Sequence, residues 1–599
     1  MVSSANYRFD LDILKGFCIL AVFFYHVGWL QTGYLGVDVF FVINGFLIVP
    51  NLLLQTRNRD FSYLEYVMKR VMRLWPLTLL ASALVLLIGI WGMLPDDFEN
   101  LSQAVIASNL FSENILSAIT TRNYWDAVNE YKPLMHFWYI GILVEFYVLF
   151  PALLLLVRKV SEFLKKEYLE FALYFVWGIC IMSLILYFIP QIPTGDKFYY
   201  LPFRLFEILS GGLVGYYIKS GKVALFDKKV SSAMFVVLIV LLCSSLYIPQ
   251  STGELQPVSG LLETKPIIPQ QVMLVLIVFC SLVYLCSRQL YSQGIQNIPT
   301  KIVAFWGKMS FSIFVWHQIL LAFYRYFFDD KMNILPVLTI FVTVLLLSVL
   351  TYWGVEQKIK ANWRNFSYSI VLLFLISVPA GWVYLNAGVI RDVPELEVTK
   401  QKKHRGMFAE YCDRVYAYDK DFSDNTKLKV LVEGVSFGRD FANILLESRM
   451  KDSIEISYIF EHDPQYSKRY QECDYLFTFS RKKDVPKYVW ENLNPKAKVL
   501  GIGTKNFGTC NGIIYQKRNT ATYFNQTVAI NSSFYELNEL WRKEWGDSNY
   551  VDYIKLSTAD DGRIRVFTDD HKFISQDCRH LTPAGARWFA QKIDWNIIF

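Results

Sequence analysis

Histidine is the scarcest chemistry in this sequence, with seven residues in 599 against 46 phenylalanines and 37 tyrosines. The seven lie far apart and no spacing resembles a zinc site, so neither a histidine cluster nor a metal is expected. Charge is thin as well: 19% of residues are charged and 53% are apolar, too apolar for an ordinary soluble enzyme. The net charge of +7 does not imply nucleic acid, because the lysines and arginines gather between apolar runs, where they orient a chain in a membrane. A cleavable signal peptide is not evident, since the first apolar run has no small-residue cleavage site. There is no internal repeat and no low-complexity segment. Without repeats or paired discontinuous spans, a polytopic transporter is the weaker reading of such a chain.

What is there begins with two apolar runs, Ile13–Leu30 and Gly36–Leu54, each about long enough to cross a bilayer. Their few polar residues are Lys15, His26 and Asp38. In a helix, Lys15 and His26 stand roughly 16 Å apart along the axis. An ionisable group inside a span is costly and points to function. The bland alternative is a snorkelling Lys15 and a packed, hydrogen-bonded His26, and for His26 alone the two readings are level. Nine further runs centre on Leu74–Leu94, Leu134–Val157, Leu169–Ile189, Leu201–Ile218, Val230–Ile248, Val272–Cys286, Val303–Tyr324, Leu335–Trp353 and Ile370–Leu385, giving about eleven spans. One set of alternate loops carries Arg57, Arg59, Lys69, Arg70 and Arg73, then Arg158, Lys159, Lys165 and Lys166, then Lys219, Lys222, Lys228 and Lys229. The opposite set is nearly bare of them. The positive-inside rule therefore puts the N-terminus in the cytoplasm, and an odd span count sends everything after about Asn386 to the other side.

Beyond that point short β-rich runs alternate with helical stretches: Lys427–Val432, Ile454–Phe460, Asp474–Phe479 and Val499–Gly503. This pattern predicts an α/β domain with a mostly parallel sheet. Lys400–Arg405 reads as a solvated linker, or as a basic patch near lipid headgroups. Cys412, Cys473, Cys510 and Cys578 belong to this domain, an even number that allows one or two disulfides in three pairings.

The motifs add chemistry. Lys15 precedes His26 at a fixed interval, GYLGVDVFFVINGFLI follows, and Arg70 and Arg73 share a helix face before Pro76. This order resembles the acyltransferase-3 family of integral-membrane O-acyltransferases, with Asn44 standing where the family usually has Ser. Further marks are His136 and Trp138 with Glu145, Arg204 and Glu207 before Gly211, and Trp316-His317; the family's Glu-Glu-Gln triplet reads Leu143-Val144-Glu145, and Lys358 replaces an expected Pro. The resemblance covers roughly residues 8–360. It implies that Lys15, Arg70 and Arg73 bind an acyl-coenzyme A donor, acetyl-CoA above all, through its phosphates. It implies His26 as general base, with Asp38 a candidate to orient it. Arg204 and Glu207 read more simply as i,i+3 neighbours that neutralise each other in lipid.

In the C-terminal part, Ser436 follows an apolar β-run and opens a helical stretch, and Asp577-Cys578-Arg579-His580-Leu581 lies near the end. This resembles the SGNH hydrolase family, a flavodoxin-like α/β fold, and implies Ser436 as nucleophile, His580 as base and Asp577 as its partner. Val435 stands where the family has Asp or Asn, and its G-x-N-D is not recognisable. Ser480 and Asn506 are the candidates by strand order for the oxyanion donors. Together the resemblances imply a membrane core over residues 1–365, a further span and linker over 366–400 and an SGNH-like external domain over 401–599. They imply a multi-pass protein of the bacterial inner membrane that O-acetylates a cell-surface glycan. The alternative leaves the external domain a glycan-binding module without chemistry. The glycan, the acyl chain and the oligomeric state stay open.

Overall fold

The computed structural model describes residues 8–120, 127–223, 225–244, 269–287, 298–328, 332–401, 407–508, 520–576 and 579–599. The N-terminal two thirds is helical: α1 (Phe9–His26), α2 (Gly36–Arg57), α3 (Tyr63–Gly92), α4 (Pro95–Asn109), α5 (Glu113–Thr120), α6 (Trp138–Phe163), α7 (Tyr168–Phe188), α8 (Thr194–Tyr199), α9 (Leu205–Lys219), α10 (Lys228–Cys243), α11 (Gln270–Leu285), α12 (Ile298–Lys308), α13 (Ser310–Phe327), α14 (Ile334–Thr351) and α15 (Trp363–Leu385). Six helical segments among the described residues are long and apolar enough to cross a membrane, and Gln270–Leu285 is a shorter apolar helix. The eleven expected spans are thus not all met by length and composition. Two reasons are visible. Helix α9 has only 15 residues, roughly 22 Å against a hydrocarbon core of about 30 Å. The run Val303–Tyr324 is split at Met309 into α12 and α13. Residues 245–248 of the expected span Val230–Ile248 lie outside the described residues.

Lipid gives helices no hydrophobic drive toward each other, so small residues must let backbones meet. A Cβ at Gly45 would strike the carbonyl of Ile208, and one at Gly211 that of Val42, which locks α2 against α9. Gly16 and Gly307 do the same between α1 and α12, against Val303 and Asp12.

The bundle has two distinguishable ends. Helices α3 and α15 both finish at one of them, where the Arg391 guanidinium donates to the carbonyls of Ile90, Trp91 and Met93. Leu94, Val389 and Val393 there share an apolar cluster with Tyr523, Val566, Phe567 and Phe573 of the C-terminal domain. Lys572 donates to the Pro394 carbonyl at 2.9 Å. The C-terminal domain is therefore seated on this end. Arg70 and Arg73, early in α3, lie toward the other.

The C-terminal domain is α/β. Strands β1 (Leu428–Glu433), β2 (Ile454–Ile459), β3 (Tyr475–Thr478) and β4 (Lys498–Ile502) fall within a residue of the expected runs, and the short β5 (Thr527–Val528), β6 (Tyr550–Val551) and β7 (Ile564–Arg565) are additions. The main sheet is parallel in the order β2-β1-β3-β4-β6, while β5 and β7 pair antiparallel. This is the doubly wound, flavodoxin-like order, whose crevice lies at the carboxyl ends of the strands where the order reverses, beside β1 and β3. Helix α16 (Met407–Asp413) leads in, and α17 (Ser436–Glu447) follows β1. Cys473 is a buried thiol whose Sγ–H donates to the Tyr470 carbonyl, and burial pushes it up to about 12. Cys510, Cys578 and residues 402–405 of the basic patch lie outside the described residues.

Candidate functional site

Three predicted cations meet in one cavity. Lys15 comes from α1, Arg70 and Arg73 from α3, and the space they line, about 540 Å³, reaches inward to Asn44, Tyr139 and Phe314. They converge because α1 and α3 run parallel, so residues early in each helix reach the same level. Two of the three are partly satisfied: Arg73 pairs with Glu356 at 3.1 Å, and Lys15 with Asp12 at 3.6 Å. Arg70 has aromatic neighbours instead, its guanidinium 5.3 Å from the Tyr66 ring and 5.9 Å from that of Tyr147. A half-paired cationic mouth over an apolar interior suits a ligand with phosphates at one end and a slender apolar arm at the other.

At the inner wall stands Phe314, its ring 5.0 Å from that of His136 and 5.7 Å from that of His317. Behind it the histidines do cluster, contrary to the expectation from spacing. The rings of His26 and His317 are 5.2 Å apart, and those of His136 and His317 also 5.2 Å. The residues are remote in sequence, and the packing of α1, α13 and the turn before α6 brings them together. His317 Nδ1–H donates to the Phe314 carbonyl at 2.7 Å, and His136 Nε2–H to that of Val315 at 3.1 Å. A carbonyl only accepts, so these bonds assign the protons and leave His317 Nε2 and His136 Nδ1 as buried lone pairs. Arg325 donates to the carbonyl of His26, tying the end of α1 to α13. The sequence offered Trp316-His317 only as a motif match. Among the described residues no three His, Cys, Asp or Glu side chains are arranged to hold a metal ion.

Asp38 is not the orienting partner of His26. It pairs with Arg204 at 2.9 Å, and the same guanidinium nitrogen holds Glu207 at 2.9 Å. A buried carboxylate needs a cation more than it needs an imidazole, and Arg204 is the one α9 delivers. Arg204 also donates Nε–H to the Phe198 carbonyl and lies over the rings of Phe198 and Trp138. Glu145 accepts from the Asn114 side-chain amide at 2.8 Å.

In the C-terminal domain, Gly434 takes φ +132°, and a Cβ there would crowd the Cβ of Phe479 at 2.9 Å. This turn sets Ser436 as the first residue of α17, half-buried, with Val435 exposed before it. Asp440, one turn on, accepts from the Leu581 backbone N–H at 3.1 Å and pairs with Lys505 at 2.9 Å, both side chains 1% exposed. The loop carrying His580 is thereby fastened to the helix that Ser436 begins. Neither Asp440 nor Lys505 had a sequence signal of its own. Asp577 lies outside the described residues. Ser480 follows β3, its carbonyl accepting from Trp545 Nε1–H, and Asn506 follows β4, its Oδ1 accepting from the Gly508 N–H. All these loops share the carboxyl edge of the sheet. Beside them Glu433, His462 and Thr478 form a buried network. His462 Nε2 is 3.3 Å from Glu433, and the Thr478 hydroxyl donates to the same carboxyl. Burial pushes Glu433 up to about 7 and His462 down to about 4, so between those values both are neutral and the contact is no ion pair.

A polytopic helical bundle with a cationic cavity is joined to an α/β domain of flavodoxin-like strand order with a serine after its first strand. The chain matches the acyltransferase domain family over residues 8–353 and belongs to the acyltransferase-3 family. It is 27% identical over 386 residues to a Staphylococcus aureus protein named provisionally as an O-acetyltransferase, covering 60% of this chain and 59% of that one. It is 29% identical over 214 residues to the peptidoglycan O-acetyltransferase OatA of Listeria monocytogenes, 35% of this chain and 33% of the relative. An uncharacterised Haemophilus influenzae protein is 25% identical over 212 residues, 35% of this chain and 86% of that one. The chain thus spans about 59% of the length of the Staphylococcus aureus relative. No solved structure matches it.

Proposed function

We propose that this protein moves an acetyl group from cytoplasmic acetyl-CoA through the bundle to a hydroxyl of a cell-surface glycan. The observation that carries the reading is the cavity in which Lys15, Arg70 and Arg73 meet, with the His26 cluster behind its inner wall. In this reading the cations hold the donor's phosphates and the pantetheine arm lies along the cavity. His26 takes the proton of the attacking hydroxyl, the C–S bond breaks, and coenzyme A leaves as the thiol. His136, His317, Trp138 and Glu145 line or brace the route, and Arg204 holds Asp38 and Glu207 together beside it. The acyl group passes outward directly or through a carrier. At the C-terminal domain the Ser436 hydroxyl takes it as an ester, yielding its proton to His580, which Asp577 steadies, and a sugar hydroxyl then takes the acyl group. Ser480 and Asn506 are the oxyanion candidates.

Eleven spans, an N-terminus in the cytoplasm of a bacterial inner membrane and a boundary near residues 366–400 complete the proposal. A second reading, a glycan-binding domain without chemistry, is favoured by Val435, which puts an exposed apolar side chain beside Ser436. Replacing Arg70 and Arg73 together by Ala should weaken donor binding while the protein stays folded. His26→Ala should keep donor binding and lower transfer by about 10²–10⁴-fold, the usual worth of a general base. Near-normal transfer by His26→Ala, measured with labelled acetyl-CoA, would remove that role.

A further inference from the structure

A second cavity adjoins the one that Lys15, Arg70 and Arg73 line, and Arg70 stands in the wall of both. It too is about 540 Å³, and it lies where α2 ends and α3 begins, lined by Gln55, Asn58, Phe61 and Tyr66. The loop that shapes it is held in place. The Arg158 guanidinium donates to the carbonyls of Thr56 and Asn58 at 3.0 and 2.8 Å, and the Ser62 hydroxyl caps α3 by accepting from the Glu65 N–H. From Arg70 the wall steps outward through rings. The guanidinium lies 5.3 Å from the Tyr66 ring, and that ring lies 5.7 Å from the ring of Phe61.

Charge separates the two spaces. The first gathers Lys15, Arg70 and Arg73 against Asp12 alone. In the second, Asp60 and Glu65 offset Lys69 and Arg70, so beyond Arg70 it suits a group without net charge. It presents aromatic rings and the exposed side-chain amides of Gln55 and Asn58. Aromatic faces take nucleobases by stacking, and an amide sets a donor beside an acceptor, the match for the amino and ring-nitrogen edge of adenine. The donor of the proposed reaction carries a nucleoside beyond its phosphates. With the slender arm in the first cavity and the phosphates at Arg70, the nucleoside must lie on the far side of that residue. The pocket of about 100 Å³ beside Arg73, roughly three water volumes, is too small for it.

We infer that this second cavity is the nucleoside subsite of the acyl donor, in which Phe61, with Tyr66 behind it, stacks on the purine and Gln55 or Asn58 binds its edge. The inference rests on the proposed acetyl transfer and deepens it: the donor is selected by its base as well as by its phosphates.

The test uses the full-length protein in phosphatidylcholine nanodiscs, with calorimetric binding of acetyl-CoA, acetyl-dephospho-CoA and S-acetyl-4′-phosphopantetheine, which lacks the nucleoside. The first two should bind alike, and both more tightly than the third. Phe61→Ala should weaken the first two about tenfold, within the worth of one base–aromatic contact, and leave the third unchanged. Phe61→Trp should keep most of the affinity. Unchanged binding of the third donor shows that Phe61→Ala is folded. Should Phe61→Ala bind none of the three, the exposed Asn58→Ala decides: a severalfold loss confined to the two nucleotide donors supports the subsite, and an unchanged or uniform response overturns it. Equal binding of all three donors by the wild type, or unchanged acetyl-CoA affinity in Phe61→Ala, overturns it as well. A loss on removing the 3′-phosphate as large as that on removing the whole nucleoside overturns recognition of the base. Transfer is measured separately: donors that bind through Phe61 but yield no acetyl group leave the subsite standing and remove the proposed function.

Discussion

At the scale of single residues, burial sets the behaviour of the titratable groups outside the membrane. Glu433 sits near 7 in the folded chain against an ordinary 4.5, so its stabilisation is complete below 4.5 and is lost as pH rises through 7. His462, near 4 against an ordinary 6.5, contributes stability present above 6.5 and lost as pH falls toward 4. Between 4.5 and 6.5 the two slopes oppose each other. Glu433→Gln leaves only the histidine slope, and the unfolding free energy should then rise on the order of 2–3 kcal/mol from pH 4 to 6.5. Denaturant unfolding followed by hydrogen exchange at the β1 and β3 amides reads this; a slope as flat as the wild type's would reject it. The meeting of Lys15, Arg70 and Arg73 in one cavity was legible in the sequence, because all three sit early in helices that enter from one end. The partners of Asp38 and His26 were not. Arg204 lies 166 residues from Asp38 and His317 lies on another helix, and sequence spacing encodes helix faces rather than which helices pack.

At the scale of elements, glycine contacts and one buried ion pair set the geometry. The Asp440–Lys505 pair joins α17, the loop after β4 and the loop before residue 582, three pieces that the sequence left unconnected. Removing one member strands a buried charge, so Lys505→Met should cost about 3–5 kcal/mol. Asp440→Ala should add the loss of the acceptor for the Leu581 N–H. The double variant Asp440→Leu with Lys505→Met should be less destabilised than Lys505→Met alone, because no charge is left unpaired. Strictly additive losses in that cycle, read by thermal unfolding, would contradict the pair's role. The parallel strands were legible to within a residue because a strand buried on both faces reads as an apolar run. The short β6 was not, since Tyr550 and Val551 alone give no periodicity.

At the scale of the molecule, the cationic cavity and the C-terminal domain stand at opposite ends of one helical bundle. Reporter fusions after Lys229 and Lys358 should read cytoplasmic and one after residue 405 external; a cytoplasmic signal after 405 would leave no two-sided transfer to explain. The span count was the least legible feature, because hydropathy counts apolar runs whether or not a helix such as the 15-residue α9 crosses unaided. The central claim, acetyl transfer to a surface glycan through His26, is tested most directly by mass analysis of that glycan from cells expressing wild type, His26→Ala, Ser436→Ala or no protein. Wild-type cells should carry O-acetyl groups on the glycan, the deletion cells none, His26→Ala cells at most a small residue of them, and Ser436→Ala cells fewer than wild type. Equal acetylation in wild-type and deletion cells, or full acetylation with His26→Ala, would contradict it.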